Sequence, residues 1–216
     1  MKQILDPRVM GALTLLLAAG GLAWHGQPSL EQRWEFMAPE LVSRLLEREV
    51  YIDPAELLHL INDDYIHLVI YDVRSESDWN EFRLVDSERM PLDKMPGERD
   101  RLLALPDNAV VVVVSNDEML ATEGWKRLMV IAETNAYILE GGLNHWLNIY
   151  GVAGDEVDAH GKASLGKPDG RLRHPFRLAL GDRHAASRPV EDLTPDREYS
   201  KKVKLLKKVA KAGGCD

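Results

Sequence analysis

Four acidic residues stand where short apolar stretches of the sequence end: Asp72, Asp117, Glu118 and Glu140. If those stretches are parallel strands of one sheet, their carboxyl ends meet at one edge, which is where such sheets bind ligands. Carboxylates gathered there could coordinate Mg²⁺ or Ca²⁺. Acidic residues at strand ends also commonly cap turns and helices. We weight the capping interpretation above the metal one, and we predict no metal and no other cofactor.

Ser115 follows the most apolar of these stretches and is the candidate nucleophile. A serine hydroxyl attacks a substrate only when a neighbouring base takes its proton. The sequence has no G-x-S-x-G elbow and places no evident base beside this serine. Ser115-Asn116-Asp117-Glu118 instead matches the S-x-x-E capping box. We therefore predict that Ser115 is a helix N-cap and that Glu118 is its reciprocal partner.

Two stretches predict strands that are buried on both faces. His67–Tyr71 and Val110–Val114 are short, apolar and rich in β-branched residues, as buried parallel strands are. Two other stretches predict helices: Glu98–Leu105, which Pro106 ends, and Thr122–Glu133, which has apolar residues at helical spacing. Strands that alternate with helices predict an α/β domain.

Two shorter motifs give further boundaries. Asp53 stands before Pro54, which predicts an N-cap aspartate with proline at the first helical position and a helix ending near Asp63. Later in the chain, Ala136–Leu139 reads as a strand, a double-glycine turn follows it, and the next helix carries Trp146.

These segments, in this order, resemble one known family. The opening is YIDPAELL (Tyr51–Leu58), followed by YDVRSESDW (Tyr71–Trp79), the loop after Val110–Val114, and LEGGLNHW (Leu139–Trp146). Together they resemble a single rhodanese-like domain over residues 51–150. The resemblance implies a central parallel sheet flanked by helices.

The resemblance also implies a site, and this chain departs from the family there. In active rhodanese-like enzymes the loop begins with a cysteine whose thiolate attacks a sulfur donor, and a glycine and a basic residue follow. Those positions here hold Ser115, Glu118 and Leu120. A serine hydroxyl does not carry a sulfane sulfur, and a like charge at about 4 Å opposes an anion by roughly 4 kcal/mol. We predict no catalytic residue in this degenerate loop, which consists of Ser115, Asn116, Asp117, Glu118, Met119 and Leu120.

Four residues remain as binding candidates at the strand ends: Asp72, Arg74, Glu140 and Gly141. In the family pattern the aspartate of DVR is usually a structural hydrogen-bonding group. Arg74 either pairs with a nearby carboxylate, which we favour, or is the cation for an anionic ligand. The family's glycine–histidine segment is replaced by Phe82–Ser87, so we expect that loop to differ in shape.

The N-terminus predicts a membrane anchor over residues 1–27. Val9–Trp24 has sixteen residues without a charge, and as a helix it spans roughly 24 Å, slightly less than the ~30 Å hydrocarbon core. A cleaved signal peptide is the alternative, but the small-residue site near Gly20 is followed by more apolar residues. Lys2 and Arg8 before the span favour a cytoplasmic N-terminus, which would put the domain of a bacterial inner-membrane protein in the periplasm. Residues 28–50 then form a helical neck.

The C-terminal extension, residues 151–216, has a basic end on an acidic protein. The formal net charge is −8, although residues 200–216 hold six lysines against one aspartate. An acidic body argues against nucleic acid as a partner. We predict a basic amphipathic helix over Tyr199–Ala212 near a charged surface, which could be lipid, a partner or the acidic body itself; the alternative is a solvated, disordered tail. His174–Asp182 could pack on the domain as a strand-like arm. Cys215 is the single cysteine of the chain.

Three functions fit these features. The first is a membrane-anchored, catalytically inactive rhodanese-like protein that acts as a docking or assembly subunit of a membrane complex, with lipid and a membrane protein as partners. The second is a sulfur-handling protein that uses Cys215 or a partner's thiol. The third is a module that senses a small anion or a metal. Loss of the cysteine, the glycine and the basic residue together favours the first.

Overall fold

The structure of the 216-residue chain is a computed structural model, and it describes residues 8, 11, 14, 28–151, 169–174, 176, 178–190 and 197–205. Most of the predicted span Val9–Trp24 lies outside these residues, as do residues 206–216 with Cys215. In the described part of the chain, no helix has both the length and the apolar character needed to cross a membrane.

A five-stranded, all-parallel sheet forms the centre of the fold. Its strands, in chain order, are β1 (Tyr51–Ile52), β2 (His67–Asp72), β3 (Ser87–Arg89), β4 (Ala109–Val114) and β5 (Ala136–Leu139). Their order across the sheet is β1-β5-β4-β2-β3. β4 is central and every residue in it is buried, as the valine run predicts.

Helices cover both faces of the sheet, which confirms the predicted α/β architecture. The helices are α1 (Leu30–Leu46), α2 (Pro54–Asn62), α3 (Glu76–Glu81), α4 (Arg99–Leu103), α5 (Met119–Ala132) and α6 (Gly142–Tyr150). Because side chains alternate along β4, Val111 and Val113 pack on the α1 and α5 side. Val110, Val112 and Val114 pack on the α2 and α6 side.

The predicted neck is a helix that lies on the domain. Ser29 and Gln32 form a capping box at the start of α1. Leu41 is buried in the same core as Trp125 and Leu128 of α5. The predicted neck therefore contributes to the core of the domain.

Local signals placed most boundaries correctly and one helix poorly. Asp53 caps α2 by accepting the Ala55 N–H at 2.8 Å, as predicted. The helix predicted over Glu98–Leu105 is instead a 3-10 turn, Met95–Glu98, followed by the short α4. α5 begins at Met119, three residues before its predicted start.

The described parts of the C-terminal extension pack on the domain without forming a strand or an α-helix. Phe176 stacks on the buried Phe82 at 5.4 Å between ring centroids, and Gly181 forms an isolated parallel bridge to Phe82. Trp146 donates its indole N–H to the Ala186 carbonyl at 2.7 Å. Residues 199–205 are not helical, so the predicted helix from Tyr199 is wrong over that stretch. The reason is tertiary, because side chains of the domain bind the backbone N–H groups that a helix would use.

Candidate functional site

The candidate site is the mouth, which we define as the carboxyl ends of β2, β4 and β5 together with the loop Ser115–Glu118. The three strands end side by side, with Asp72 paired in register with Val114, and Val113 with Ile138. Gly141 and Gly142 follow β5 with φ of 68° and 63°, conformations that glycine adopts without strain. The topology thus brings the predicted site residues to one edge of the sheet.

Ser115 is buried and both of its hydroxyl functions are engaged. Its side chain donates to the Asp117 carbonyl and accepts the Ala121 N–H at 3.0 Å, and the residue is 1% exposed. The Ala121 N–H belongs to the first turn of α5, where amides have no partner within the helix. Ser115 therefore satisfies a helix amide, although from outside the helix. It has no base as a hydrogen-bond partner among the described residues.

The predicted capping box at Ser115 and Glu118 is wrong in its geometry. The N-cap of α5 is Glu118, whose side chain makes no capping hydrogen bond. Asp117 takes that role through Oδ1, which accepts the Met119 N–H at 2.8 Å. Ser115 lies four residues before Met119 and is therefore too early in the chain to be the N-cap of α5.

Loop carbonyls bind the beginning of α6. The Ser115 carbonyl accepts the Leu143 N–H at 2.8 Å, and the Asn116 carbonyl accepts the Asn144 N–H at 3.0 Å. A Cβ on Gly142 would stand 2.6 Å from the carbonyl oxygens of Ser115 and Asp117. The close approach between the loop and α6 therefore requires glycine at this position.

Glu118 forms a salt bridge with Arg48, a residue that lies outside the sheet. Arg48, which follows α1, pairs with it in a bidentate arrangement at 3.1 and 2.6 Å, and also contacts Glu140 at 3.1 Å. These carboxylates raise the pKa of Arg48 above its ordinary value, with the Glu118 hydrogen bond as the largest cause. Glu118 also accepts the Gly141 N–H at 2.7 Å. The chain's own carboxylate thus occupies a backbone donor of the mouth.

Asp72 and Arg74 form a buried ion pair. The guanidinium Nε lies 2.9 Å and Nη2 lies 2.6 Å from the Asp72 oxygens, and both side chains are fully buried. Arg74 also donates to the Asn116 side chain at 2.9 Å and to the Phe82 carbonyl. Arg74 therefore pairs with a nearby carboxylate, which is the interpretation that we favoured from the sequence.

The four carboxylates of the mouth do not converge on one point. Asp72 is paired with Arg74, Asp117 binds backbone N–H groups, and Glu118 and Glu140 share Arg48. No group of three or more histidine, cysteine, aspartate or glutamate side chains that could hold a metal occurs among the described residues.

The C-terminal extension crosses the mouth, and its backbone binds side chains of the domain there. Gly170 donates its N–H to Asp117 Oδ2 at 2.8 Å, and its carbonyl accepts from Asn116 at 3.0 Å. The Asn144 side chain donates to the Arg171 carbonyl at 2.8 Å and accepts the Arg173 N–H at 2.7 Å. The extension therefore covers the loop with paired polar contacts.

Sequence reasoning missed four contributors to the mouth: Arg48, Asn144, Gly170 and Lys202. Arg48 lies 70 residues before Glu118 and 92 before Glu140, and no local pattern marks such a contact. The contrast between an acidic body and a basic C-terminus was a signal for Lys202, whose Nζ lies 3.8 Å from Glu140.

Comparison with known proteins gives one family match and several similar solved structures. Residues 53–149 match the family model described as Rhodanese-like domain. No curated protein matches the chain. Among solved structures, a protein from Bacillus halodurans is 20% identical, with a TM-score of 0.40 over 50% of this chain and 80% of that one. A full-length protein from Lactobacillus plantarum is 23% identical, with a TM-score of 0.40 over 52% and 91% of the two chains. A rhodanese-like domain protein from Staphylococcus aureus is 21% identical, with a TM-score of 0.38 over 50% and 98%.

Proposed function

We propose that residues 53–149, which are a rhodanese-like domain, form a catalytically inactive module of a docking or assembly subunit in a membrane protein complex. The observation that carries the proposal is the state of the mouth. Ser115, which we place at the family's cysteine position, is buried with its hydroxyl bound on both sides. Such a hydroxyl has no base to activate it and no open path to a donor molecule.

The electrostatics of the mouth support the same conclusion. Sulfur donors such as thiosulfate are anions, and a site for them needs amide donors or a free cation. Here Glu118 takes the Gly141 amide, and Arg48 is bound by two carboxylates. Arg74 is fully buried against Asp72. Each charged group of the mouth therefore binds another group of the same chain.

A docking role is favoured by the residues that remain exposed beside the loop. Met119 is 57% and Leu120 is 41% exposed in the first turn of α5. Leu120 stands where we place the family's basic residue, so the surface there presents apolar side chains. Apolar side chains at a protein surface suit contact with another protein better than the capture of an anion.

The membrane part of the proposal comes from the sequence. Val9–Trp24 is uncharged and has basic residues before it, which suits a single-pass anchor with the domain in the bacterial periplasm. The partners would then be lipid around this helix and a membrane protein that contacts the domain.

Affinity purification from native membranes tests the docking role. The tagged full chain is extracted in mild detergent beside two variants, Met119→Ser with Leu120→Ser, and Leu103→Ser as the control. Leu103 is exposed to a similar extent, at 50%, but lies on α4. We expect the same partner with the wild type and the control, and its loss from the double variant. Recovery of the chain alone, as a monomer in each case, would contradict the docking role.

A further inference from the structure

A segment of the C-terminal extension lies in a groove beside the mouth, which it touches through Lys202. We call residues 199–205 the latch segment, and the surface formed by Tyr51, Glu56, His59 and Tyr137 the latch groove. Glu56 Oε1 accepts two consecutive backbone N–H groups, from Lys202 at 2.8 Å and Val203 at 2.7 Å. The Tyr137 hydroxyl accepts the next one, from Lys204, at 2.9 Å. Domain side chains thus bind three successive amides.

The contacts select a non-helical backbone with one apolar side chain between lysines. Within residues 197–205, Val203 alone is buried, and it joins the core of Ile52 and Leu57. Lys202 Nζ donates to the Tyr51 carbonyl at 2.6 Å. A helix would satisfy its own amides, so the groove recognises a segment whose N–H groups point outward. The groove therefore has the chemistry of a peptide-binding site.

Glu56 indicates that the groove requires an occupant. Its residue is 1% exposed among the apolar side chains of α2, and its Oε2 has no hydrogen-bond partner among the described residues. A buried carboxylate is costly unless donors surround it. Both donors to Oε1 come from the latch segment. An empty groove would leave this carboxylate without them.

Few apolar contacts hold the latch segment, so the main cost of its release is the loss of the two amide donors to Glu56. The segment forms no strand with the sheet, and Val203 is its single buried residue. Segments with few buried apolar contacts open locally without unfolding of the domain. The groove residues Glu56 and Tyr137 belong to α2 and β5, which are elements of the domain and not of the segment.

We propose that the latch groove is a binding site for a non-helical peptide of Lys–apolar–Lys sequence, and that residues 199–205 occupy it in cis as an exchangeable ligand. This inference does not depend on the proposed docking role or on the chemistry of the mouth. Glu56 is the residue that defines the site, because its carboxylate accepts hydrogen bonds from two consecutive backbone N–H groups.

Hydrogen exchange on the full chain tests whether the segment is held. The variant Val203→Ser removes the buried side chain and leaves the groove intact, and Leu205→Ser is the matched control in the same segment, since Leu205 is 40% exposed. We expect the amides of Lys202, Val203 and Lys204 to exchange at least ~10-fold faster in Val203→Ser than in the wild type or the control. Exchange in the wild type at the rate of an unstructured peptide would overturn the proposal.

A labelled peptide with the sequence of residues 197–205 tests whether the site accepts a ligand in trans. Because an occupied site lowers apparent affinity, we expect binding to the Val203→Ser chain that is at least ~10-fold tighter than to the wild type. The same peptide N-methylated at Lys202 and Val203 is the control, since it keeps the side chains and lacks both N–H groups. Equal binding of the two peptides would refute recognition by Glu56.

Light scattering tests whether the segment in the groove comes from the same chain, and a groove variant tests the role of Glu56. We expect the wild-type chain to be monomeric by light scattering at all concentrations. A dimer that dissociates in Val203→Ser would mean that a second copy supplies the segment, which contradicts occupancy in cis. Glu56→Gln in the Val203→Ser chain should weaken peptide binding, and the N-methylated peptide gives the same test on a chain whose groove is unchanged.

Discussion

At the residue scale, Ser115 serves the fold through its hydroxyl. The side chain satisfies the Ala121 amide of α5 and bonds to the Asp117 carbonyl within a turn that has almost no solvent contact. A side chain with these partners is a structural element of the β4–α5 connection. Removal of this hydroxyl should therefore lower the stability of the chain.

Ser115→Ala should destabilise the chain by about 1–2 kcal/mol, because a buried helix amide loses its acceptor. Urea unfolding at neutral pH measures this. Ser43→Ala is the control, since that hydroxyl makes one exposed hydrogen bond, to Glu47. An equal, negligible effect of both changes would contradict the structural role of the Ser115 hydroxyl.

Ser115→Cys should restore little sulfur transfer. The thiol would stand in a buried turn, with Glu118 on the Gly141 amide and Arg48 bound by carboxylates. The change is tested by the rate of thiocyanate formation from thiosulfate and cyanide. Recovery of activity by more than about 100-fold over the wild type would show that the carboxylates oppose an anion less than their charge implies.

The buried pair of Asp72 and Arg74 should be the most sensitive charged feature of the domain. Removing one partner leaves an uncompensated buried charge, so Arg74→Met should cost about 3–5 kcal/mol in unfolding free energy. Arg101→Met is the matched control, because its pair with Glu88 is about half exposed on both sides. Similar losses from the two changes would contradict the structural role of Arg74.

At the scale of elements, local signals gave the frame of the domain, and long-range contacts gave the mouth. Asp53-Pro54, the valine run and the double glycine each act within a few residues, so their structures follow from sequence. The position of Arg48 depends on how α1 packs on α5, which no local pattern encodes. The predicted helix from Tyr199 is wrong for a similar reason, since Glu56 and Tyr137 bind amides that a helix would use internally.

The turn between β5 and α6 gives a test at this scale. Gly142→Ala should destabilise the chain by about 2–4 kcal/mol, because its φ is positive and a Cβ would press on two loop carbonyls. Gly97→Ala is the control, since a Cβ at Gly97 meets no atom within 4 Å. Thermal melts of the two variants measure the difference. A tolerated alanine at position 142 would mean that the loop is not packed against α6 as described.

At the scale of the whole molecule, two buried tyrosines should limit the stability of the fold at alkaline pH. Burial raises the pKa of Tyr71, and burial likewise raises that of Tyr137. A group whose folded pKa lies above its unfolded value of about 10 contributes stability below that pH and loses it as pH rises further. Unfolding free energy should therefore decline above pH 10. The decline should be shallower in Tyr71→Phe, and an identical pH profile would contradict the burial of this phenol.

The C-terminal extension gives the molecule its second level of organisation. Gly170 covers the loop, and Lys202 reaches Glu140 beside Arg48 of the predicted neck. Segments that precede and follow the domain in the sequence thus meet at the mouth.

The rate of sulfur transfer from thiosulfate to cyanide, measured with the full chain and with its Cys215→Ser variant, tests whether the domain is catalytically inactive. A chain without an activated nucleophile should give the uncatalysed rate in both forms, at every thiosulfate concentration. If turnover exceeds that rate and persists in Cys215→Ser, the domain itself is an enzyme, which would contradict its catalytic inactivity. Turnover that disappears with Cys215→Ser would contradict the inactivity of the chain, and would assign the chemistry to the C-terminal thiol.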